Sequence, residues 1–304
     1  MTLNVLCLGE VMVELSLDGA DSSRAAIGVA GDTFNTAIYL KRQAPEFAVS
    51  YGTKIGTDRF SDMILDALKS EAISTDAVLF SETHLPGLYA ISTDEAGERS
   101  FLYWRDNAAY RTLFEPPQLD LASLSGFDVI YYSAISIAVL PQKDRERFLN
   151  WLPSYRANGG LVAFDSNYRP RLWTDRATAQ TAIKKAWECC DIAMPSVDDE
   201  MALFGDADET AVIARLASWG AKSGTLKRGA EGPRPLGDGP APQVAPAPRV
   251  IDSTAAGDSF NAGYLAARLK GQTETKAMAA GHALAAQVVQ HRGAILPRNK
   301  KDLT

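Results

Sequence analysis

The residues best suited to chemistry lie together in the run Asp252-Ser-Thr-Ala-Ala-Gly-Asp-Ser-Phe260, where small residues and a glycine precede a carboxylate. Apolar residues at helical spacing follow, so the run predicts a helix that begins near Asp258. A helix N-terminus offers unpaired N–H groups and a positive dipole end, and small residues let an anion approach closely. A carboxylate beside a bound anion suits phosphoryl transfer.

The same run has a second interpretation. Asp258 also fits as an ordinary acid in the first turn of a helix, where its charge complements the helix dipole. Other features of the sequence are therefore needed to tell whether Asp258 is a reacting carboxylate or only stabilises the helix.

Composition sets the class of protein and of partner. The chain has 304 residues, of which 46% are hydrophobic and 22% charged, which is typical of a globular protein with a full core. The net charge of −6 argues against a nucleic-acid partner. An anionic substrate would need a local basic pocket.

Cysteine, histidine and apolar segments exclude several further classes. Cys7, Cys189 and Cys190 have neither metal-binding spacing nor a disulfide framework, and we expect buried, reduced thiols. The three histidines are scattered, which argues against a histidine-built metal site. Neither a basic leader nor a bilayer-length apolar run is visible, so we expect a cytoplasmic protein without a membrane partner.

Short apolar runs alternate with helix-length segments, which predicts βα units around a parallel sheet. The predicted strands include Asn4–Leu8, Val129–Tyr132, Leu161–Phe164 and Ile192–Met194. Ligands gather at the carboxyl ends of parallel strands. The segment Asp165–Arg169, which directly follows one of these strands, is therefore a candidate for the site.

Other patterns place the remaining elements. Helical spacing predicts helices at Thr33–Gln43, Asp58–Ser70 and Thr273–Gln290, and alternation predicts a half-exposed strand at Val11–Leu17. Two β-like runs, Leu88–Thr93 and Arg99–Arg105, predict a hairpin around a turn at Asp94–Gly97. The segment Gly232–Pro248 carries six prolines and is interpreted as a mobile surface loop. Gly281 and Ala285 favour close helix packing over a ligand.

Seven segments together resemble a known family. The run Asp252–Phe260 and the run Gly28-Val-Ala-Gly-Asp-Thr-Phe-Asn-Thr-Ala37 resemble the two signatures of the ribokinase, or phosphofructokinase-B (PfkB), family of sugar kinases. Within it, five more segments are similar to the kinases of 2-keto-3-deoxygluconate, and their joint order argues against chance. These are Leu85–Tyr89, Phe101–Arg105, Phe164–Trp173, Lys227–Ala230 and Arg292–Pro297.

The resemblance implies an α/β fold, a ribokinase-like three-layer α/β/α sandwich with a small β-sheet lid. It implies a single domain over residues 1–304, with the lid built from about residues 11–30 and 88–105. Relatives often pair through their lids, which predicts a homodimer here.

The resemblance also assigns roles to individual residues. Asp258 would be the base that activates the sugar hydroxyl, without needing a strongly raised pKa, and the backbone N–H groups of Ala255, Ala256, Gly257 and Asp258 would form the anion hole. Arg105 and Arg169 would bind the carboxylate of a sugar acid. The other predicted substrate contacts are Gly31, Asn35, Tyr89 and Tyr103, and Asp32 shares their motif.

The resemblance also indicates where the nucleotide would bind. The resemblance implies ATP contacts at Asn167, Lys227, Gly229 and Gly232, together with the anion-hole residues Ala255, Ala256 and Gly257. Mg²⁺ would bridge the nucleotide phosphates mostly through water, and no metal ligands are assigned.

The chain departs from the family pattern at four places. Val29-Ala30-Gly31 stands where the family usually carries paired glycines before Asp, and Ala255 replaces a frequent glycine. The stretch Pro195–Glu200 lacks the asparagine of the family's Asn-x-x-Glu motif, which puts a metal-linked role of Glu200 in doubt. The segment after Ala230 is rich in proline, so an irregular hairpin is expected.

The resulting hypothesis is ATP-dependent phosphorylation of 2-keto-3-deoxygluconate to its 6-phosphate. The alternatives are another sugar kinase of the family, acting on the keto-deoxygalactonate epimer, fructose or ribose, and a non-catalytic sugar-acid sensor. A sensor needs no base, and a neutral sugar would leave the two arginines without a carboxylate. A dinucleotide-binding oxidoreductase is disfavoured, since no strand is followed by GxGxxG and an acid.

Overall fold

A computed structural model of the chain describes residues 2–18, 21–93, 99–116 and 118–298. The strands are β1 Asn4–Leu8, β2 Met12–Asp18, β3 Asp21–Ala30, β4 Ala48–Ile55, β5 Val78–Phe80, β6 Gly87–Thr93, β7 Arg99–Trp104, β8 Val129–Ser133, β9 Leu161–Asp165, β10 Ile192–Met194, β11 Thr225–Leu226 and β12 Arg234–Pro235. The helices are α1 Asp32–Gln43, α2 Arg59–Ser70, α3 Ala134–Val139, α4 Gln142–Ala157, α5 Arg176–Glu188, α6 Val197–Phe204, α7 Glu209–Ser218, α8 Ala256–Leu269 and α9 Glu274–Val288. The predicted helices and strands are found within one or two residues of their expected ends.

A six-stranded parallel sheet forms the centre, in the order β10-β9-β8-β1-β4-β5. Successive residues of each central strand point to opposite faces, so both faces must be covered. Leu6 and Leu8 pack in an apolar cluster with α3 to α7, whereas Val5 and Cys7 pack with α1, α2, α8 and α9. The fold is therefore the predicted ribokinase-like three-layer α/β/α sandwich.

A second sheet has four strands in the order β3-β2-β6-β7. β2 pairs antiparallel with β3 and parallel with β6, and β6 pairs antiparallel with β7, as the predicted hairpin requires. These strands fall in the two segments expected for the lid, but a lid role and a single domain over residues 1–304 stay predictions. The expected turn at Asp94–Gly97 lies outside the described residues.

Local sequence explains where several helices begin. Asp58, Asp175, Asp208 and Thr273 each accept a hydrogen bond from a backbone N–H in the first turn of the helix that follows. α8 lacks such a cap, because its first residue is preceded by Ala255, which makes no side-chain capping bond. Among the described residues, no helix has both the length and the hydrophobicity to cross a bilayer.

Candidate active site

The start of α8 is built as an open backbone turn. Ala255 precedes the helix in the left-handed conformation, with φ of 59°, which a side chain rarely adopts. Since no side chain caps the helix, the N–H groups of its first turn are left for an anion. Such a strained position costs about 1–3 kcal/mol and is typical of functional sites.

Asp258 lies in this first turn and is almost completely buried. Its carboxylate accepts a hydrogen bond of 2.8 Å from the Asn35 amide nitrogen of α1. Burial, followed by the charge of Asp32, raises the pKa of Asp258 to about 8, and the Asn35 hydrogen bond opposes this shift. The sequence hypothesis did not require a raised pKa, but the structure gives Asp258 one suited to accepting a proton near neutral pH.

Two more carboxylates stand at the carboxyl edge of the central sheet, the half-buried Asp32 and the buried Asp165. Asp32 begins α1 and accepts hydrogen bonds from Ser133 and from the Asn167 amide at 2.8 Å. Burial raises the pKa of Asp32, and the charge of Asp165 adds to the increase. Asp165 ends β9, so the predicted segment after that strand does reach the same edge.

Lys227 connects this edge to the anion-binding turn. Its ammonium donates to Asp165 Oδ1 at 2.7 Å and to Asn261 Oδ1 at 3.1 Å. A Cβ built on Gly257 would lie 3.9 Å from the same ammonium. The lysine thus brings a held positive charge to the turn that carries Asp258, where an incoming phosphoryl group would need it.

A small cavity, here called the polar cavity, joins four of the six substrate contacts that were predicted besides Asp258. It encloses about 70 Å³, and its lining includes Gly31, Tyr103, Arg105 and Arg169. Position 31 requires a glycine because the Glu10 backbone passes close to it, and a Cβ there would lie 2.5 Å from the Glu10 carbonyl oxygen.

Asn35 and Tyr89, the other two predicted substrate contacts, lie outside this lining. Asn35 holds Asp258, and its own buried Oδ1 has no hydrogen-bond partner, which leaves it open to a ligand hydroxyl. Tyr89 stacks on Tyr103 with ring centroids 5.6 Å apart and donates to Glu14. It therefore supports the ring that lines the cavity.

Sequence reasoning missed five residues of the polar cavity: Glu10, Met12, Ile135, Arg171 and Leu172. Glu10 forms a buried ion pair with Arg105, and burial raises the pKa of Glu10 while Arg105 opposes the rise. Arg171 lies two residues after Arg169. The resemblance includes its segment, Phe164–Trp173, but assigned no role to Arg171. The sequence carries no signal for the buried Glu10–Arg105 pair, because the two residues meet only in the folded structure.

A larger and mostly apolar cavity lies on the other side of the α8 turn. This apolar cavity encloses about 420 Å³ and is lined by Lys227, Gly229, Ala256 and Gly257 among the predicted ATP contacts. Asn167, Ala255 and Gly232 do not line it. Asn167 instead holds Asp32, and Gly232 turns the backbone with φ of 81°.

Residues 232–248 include the predicted surface loop, since residues 237–248 form no helix or strand and are exposed or half-buried. Its mobility stays a prediction, and part of the segment also forms a wall of the apolar cavity, which the sequence did not indicate. Pro233, Pro246 and Ala247 line the cavity opposite α9. The Ala245 carbonyl accepts a hydrogen bond of 2.9 Å from His282 Nε2, which ties the segment to that helix. Its hairpin, β11-β12, has two residues per strand, as short and irregular as expected.

The two small residues of α9 have different partners. Gly281 packs against α8, since a Cβ there would lie 2.7 Å from the Phe260 carbonyl oxygen, which confirms helix packing. Ala285 lines the apolar cavity, and its small side chain leaves room in that cavity.

Glu200 does not reach the site. It is buried among helices, where it accepts from the Trp187 indole at 3.2 Å and pairs with Arg215 at 2.9 Å. Burial raises the pKa of Glu200 to about 7. From the same stretch, Ser196 and Asp198 line the apolar cavity.

Comparison with known proteins gives one consistent picture. Residues 2–301 match the model of the family described as pfkB family carbohydrate kinase. The chain is 45% identical to a 2-dehydro-3-deoxygluconokinase of Escherichia coli over 98% of both chains, and 38% identical to one of Haemophilus influenzae over 96% of this chain and 95% of the relative.

Solved structures agree in fold. A 2-dehydro-3-deoxygluconokinase of Thermotoga maritima superposes with a TM-score of 0.82 at 18% identity, covering 97% of this chain and 96% of that one. A fructokinase of Xylella fastidiosa with bound ATP gives 0.81 at 24% identity, covering 97% and 94%. With the family model spanning nearly all of the sequence, the chain belongs to the pfkB family of carbohydrate kinases.

Proposed function

We propose that this protein is an ATP-dependent 2-dehydro-3-deoxygluconokinase, which transfers the γ-phosphoryl group of ATP to the 6-hydroxyl of 2-keto-3-deoxygluconate. The observation that carries the proposal is the polar cavity, where three arginines gather beside the helix start that positions Asn35 and Asp258. Relatives named for this activity, 38–45% identical over nearly their whole length, support the choice of substrate.

In this proposal Asp258 accepts the proton of the sugar hydroxyl as its oxygen attacks the γ-phosphorus. The new O–P bond forms while the bond to the β-phosphate oxygen breaks, and ADP leaves with that electron pair. The first turn of α8 and the Lys227 ammonium hold the phosphoryl charge. Asn35 orients Asp258 and offers its free Oδ1 to the sugar.

The apolar cavity suits a nucleotide base and ribose, because small side chains and prolines leave a broad, largely apolar space next to the α8 turn. Mg²⁺ fits as an ion carried by the nucleotide. Among the described residues, no group of three or more His, Cys, Asp or Glu side chains could hold a metal. Asp198 and Asp165 would complete its shell through water, and the ion would neutralise phosphate charge.

The test is ADP release from ATP and Mg²⁺ with 2-keto-3-deoxygluconate, its galactose-derived epimer, fructose and ribose. We expect turnover of the keto-deoxy acids only, and its loss in Asp258→Asn. Turnover of fructose or ribose instead of the keto-deoxy acids would show that the protein is a neutral-sugar kinase. Binding of the acid without any turnover would favour a sensor.

We also propose a homodimer through the outer face of the four-stranded sheet. On β7, Phe101 and Tyr103 stack with Tyr89 on one face, whereas Leu102 and Trp104 on the other face are 58% and 59% exposed. Exposed apolar side chains grouped on one face are typical of an interface. The cytoplasmic location stays a prediction.

Sedimentation of Trp104→Arg tests the dimer. We expect a dimer for the wild type and a monomer for the variant, because a buried unpaired charge is costly. Phe80→Arg, at another exposed aromatic residue, is the control and should remain a dimer. A dimeric Trp104→Arg variant would place the interface elsewhere.

A further inference from the structure

The three arginines of the polar cavity differ in the carboxylate that each one faces. Arg105 is buried and paired with Glu10, so its charge is already balanced. Arg169 lies 3.6 Å from Asp199. Among the residues that the structure describes, Arg171 has no carboxylate within ion-pairing distance.

Arg171 is nevertheless held in place. It belongs to the short turn Pro170–Leu172, and its guanidinium carbon lies 3.9 Å from the centre of the Tyr103 ring. Tyr103 is backed in turn by Tyr89, whose hydroxyl donates to Glu14. A guanidinium stacked on a supported ring keeps its N–H edge free for a ligand.

The charges of the cavity lining match a monoanion. Among the side chains of the lining, three arginines stand against two carboxylates, Glu10 and Asp32, which leaves one positive charge in excess, while Asp199 faces Arg169 from outside the lining. Burial raises the pKa of both carboxyls, so any protonation there would increase the excess. A sugar acid brings one carboxylate to this excess, whereas a neutral sugar leaves it unmatched.

We propose that Arg171, stacked on Tyr103, supplies the free positive charge that selects a sugar acid over a neutral sugar. Arg105 then acts mainly as a hydrogen-bond donor held by Glu10, and Arg169 shares its charge with Asp199. This inference rests on the proposed function, because it concerns how the same cavity chooses its substrate.

The experiment compares Arg171→Gln and Arg171→Lys with the wild type in steady-state kinetics on 2-keto-3-deoxygluconate. We expect Arg171→Gln to raise the KM for the sugar acid about tenfold, as for loss of one charge-assisted contact, with kcat and the KM for ATP within about twofold. Arg171→Lys keeps the charge but loses the planar stack, so its KM should lie between the two. The wild-type KM should rise with ionic strength more steeply than that of Arg171→Gln.

The matched control is Arg147→Gln. Arg147 is also exposed and also lies over an aromatic ring, 5.9 Å from the centre of Phe114, but it lines neither cavity. It should leave every constant unchanged. An unchanged sugar-acid KM in Arg171→Gln, or an equal rise in the KM for ATP, overturns the inference while leaving the kinase assignment intact. If the wild type phosphorylates no sugar acid, both the inference about Arg171 and the proposed function are wrong.

Discussion

The polar cavity is lined by residues between positions 10 and 172, most of them able to carry a charge or a hydrogen bond, whereas the apolar cavity is lined by residues between positions 196 and 289, mainly small side chains and prolines. The first encloses about 70 Å³ and the second about 420 Å³. We therefore propose that the two halves of the chain recognise their ligands by different means, by charge in the polar cavity and by shape in the apolar cavity. Asp258 stands between them, on a helix that begins at the apolar cavity and bonded to a helix that begins at the polar one.

The largest expected effect comes from removing the Asp258 carboxylate, which stands between the two cavities. Asp258→Asn should lower kcat/KM about 10²–10⁴-fold, the usual contribution of a general base. Because burial raises the pKa of Asp258 to about 8, wild-type kcat/KM should increase as pH rises towards that value. A pH profile of ADP release checks both; a profile flat from pH 6 to pH 9 would contradict the assignment of Asp258 as the base.

The same substitution should stabilise the fold. Between about pH 4, the ordinary value for an aspartate, and pH 8, folded Asp258 keeps a proton that the unfolded chain has lost, so stability falls as pH rises through this window. Asp258→Asn removes this cost, and we expect a gain of about 1–3 kcal/mol at pH 8.5, since coupling to Asp32 and Asp165 divides the effect. The gain should shrink at pH 5. Thermal melts at the two pH values test it, and an equal change at both would argue against a raised pKa.

A second change tests whether charge holds the polar cavity together. Glu10→Gln leaves the buried Arg105 charge without its counter-ion, so unfolding free energy should fall by about 2–3 kcal/mol. The control is Glu115→Gln, in an exposed pair with Lys143 at 3.5 Å, which should cost less than about 1 kcal/mol. Urea unfolding measures both. Equal losses would mean that the buried pair contributes no more than a surface one.

The smallest effect should come from the apolar cavity, where only shape is changed. Ala285→Leu fills part of the space, and we expect a rise of about tenfold in the KM for ATP with the KM for the sugar acid within twofold. Ala177→Leu, on the exposed face of α5, is the control and should change neither constant. A rise in the sugar-acid KM alone would contradict the division between the cavities.

The two sides also differed in how far they could be predicted. The α8 turn was predictable because its residues are contiguous from Asp252 to Asp258, and the parallel sheet because its strands alternate with helices. The pair of Glu10 and Arg105 joins residues 95 positions apart, and no local pattern encodes it.

The wall of the apolar cavity was missed for a similar reason. Composition predicted a surface loop at residues 232–248, but it could not show that hydrogen bonds to α9, over 35 and 37 positions, hold this loop beside the cavity. Likewise, the family's Asn-x-x-Glu motif drew attention to Glu200, whose role the sequence left in doubt. The structure buries that side chain among the helices and leaves Asp198 at the cavity.

The most direct test of the central claim is the ratio of kcat/KM for 2-keto-3-deoxygluconate to kcat/KM for fructose, measured on the wild type at one ATP and salt concentration. A pocket whose charges match a carboxylate predicts a preference for the acid of at least about 10²-fold. Equal rates with the two sugars, or a preference for fructose, would contradict recognition by charge in the polar cavity.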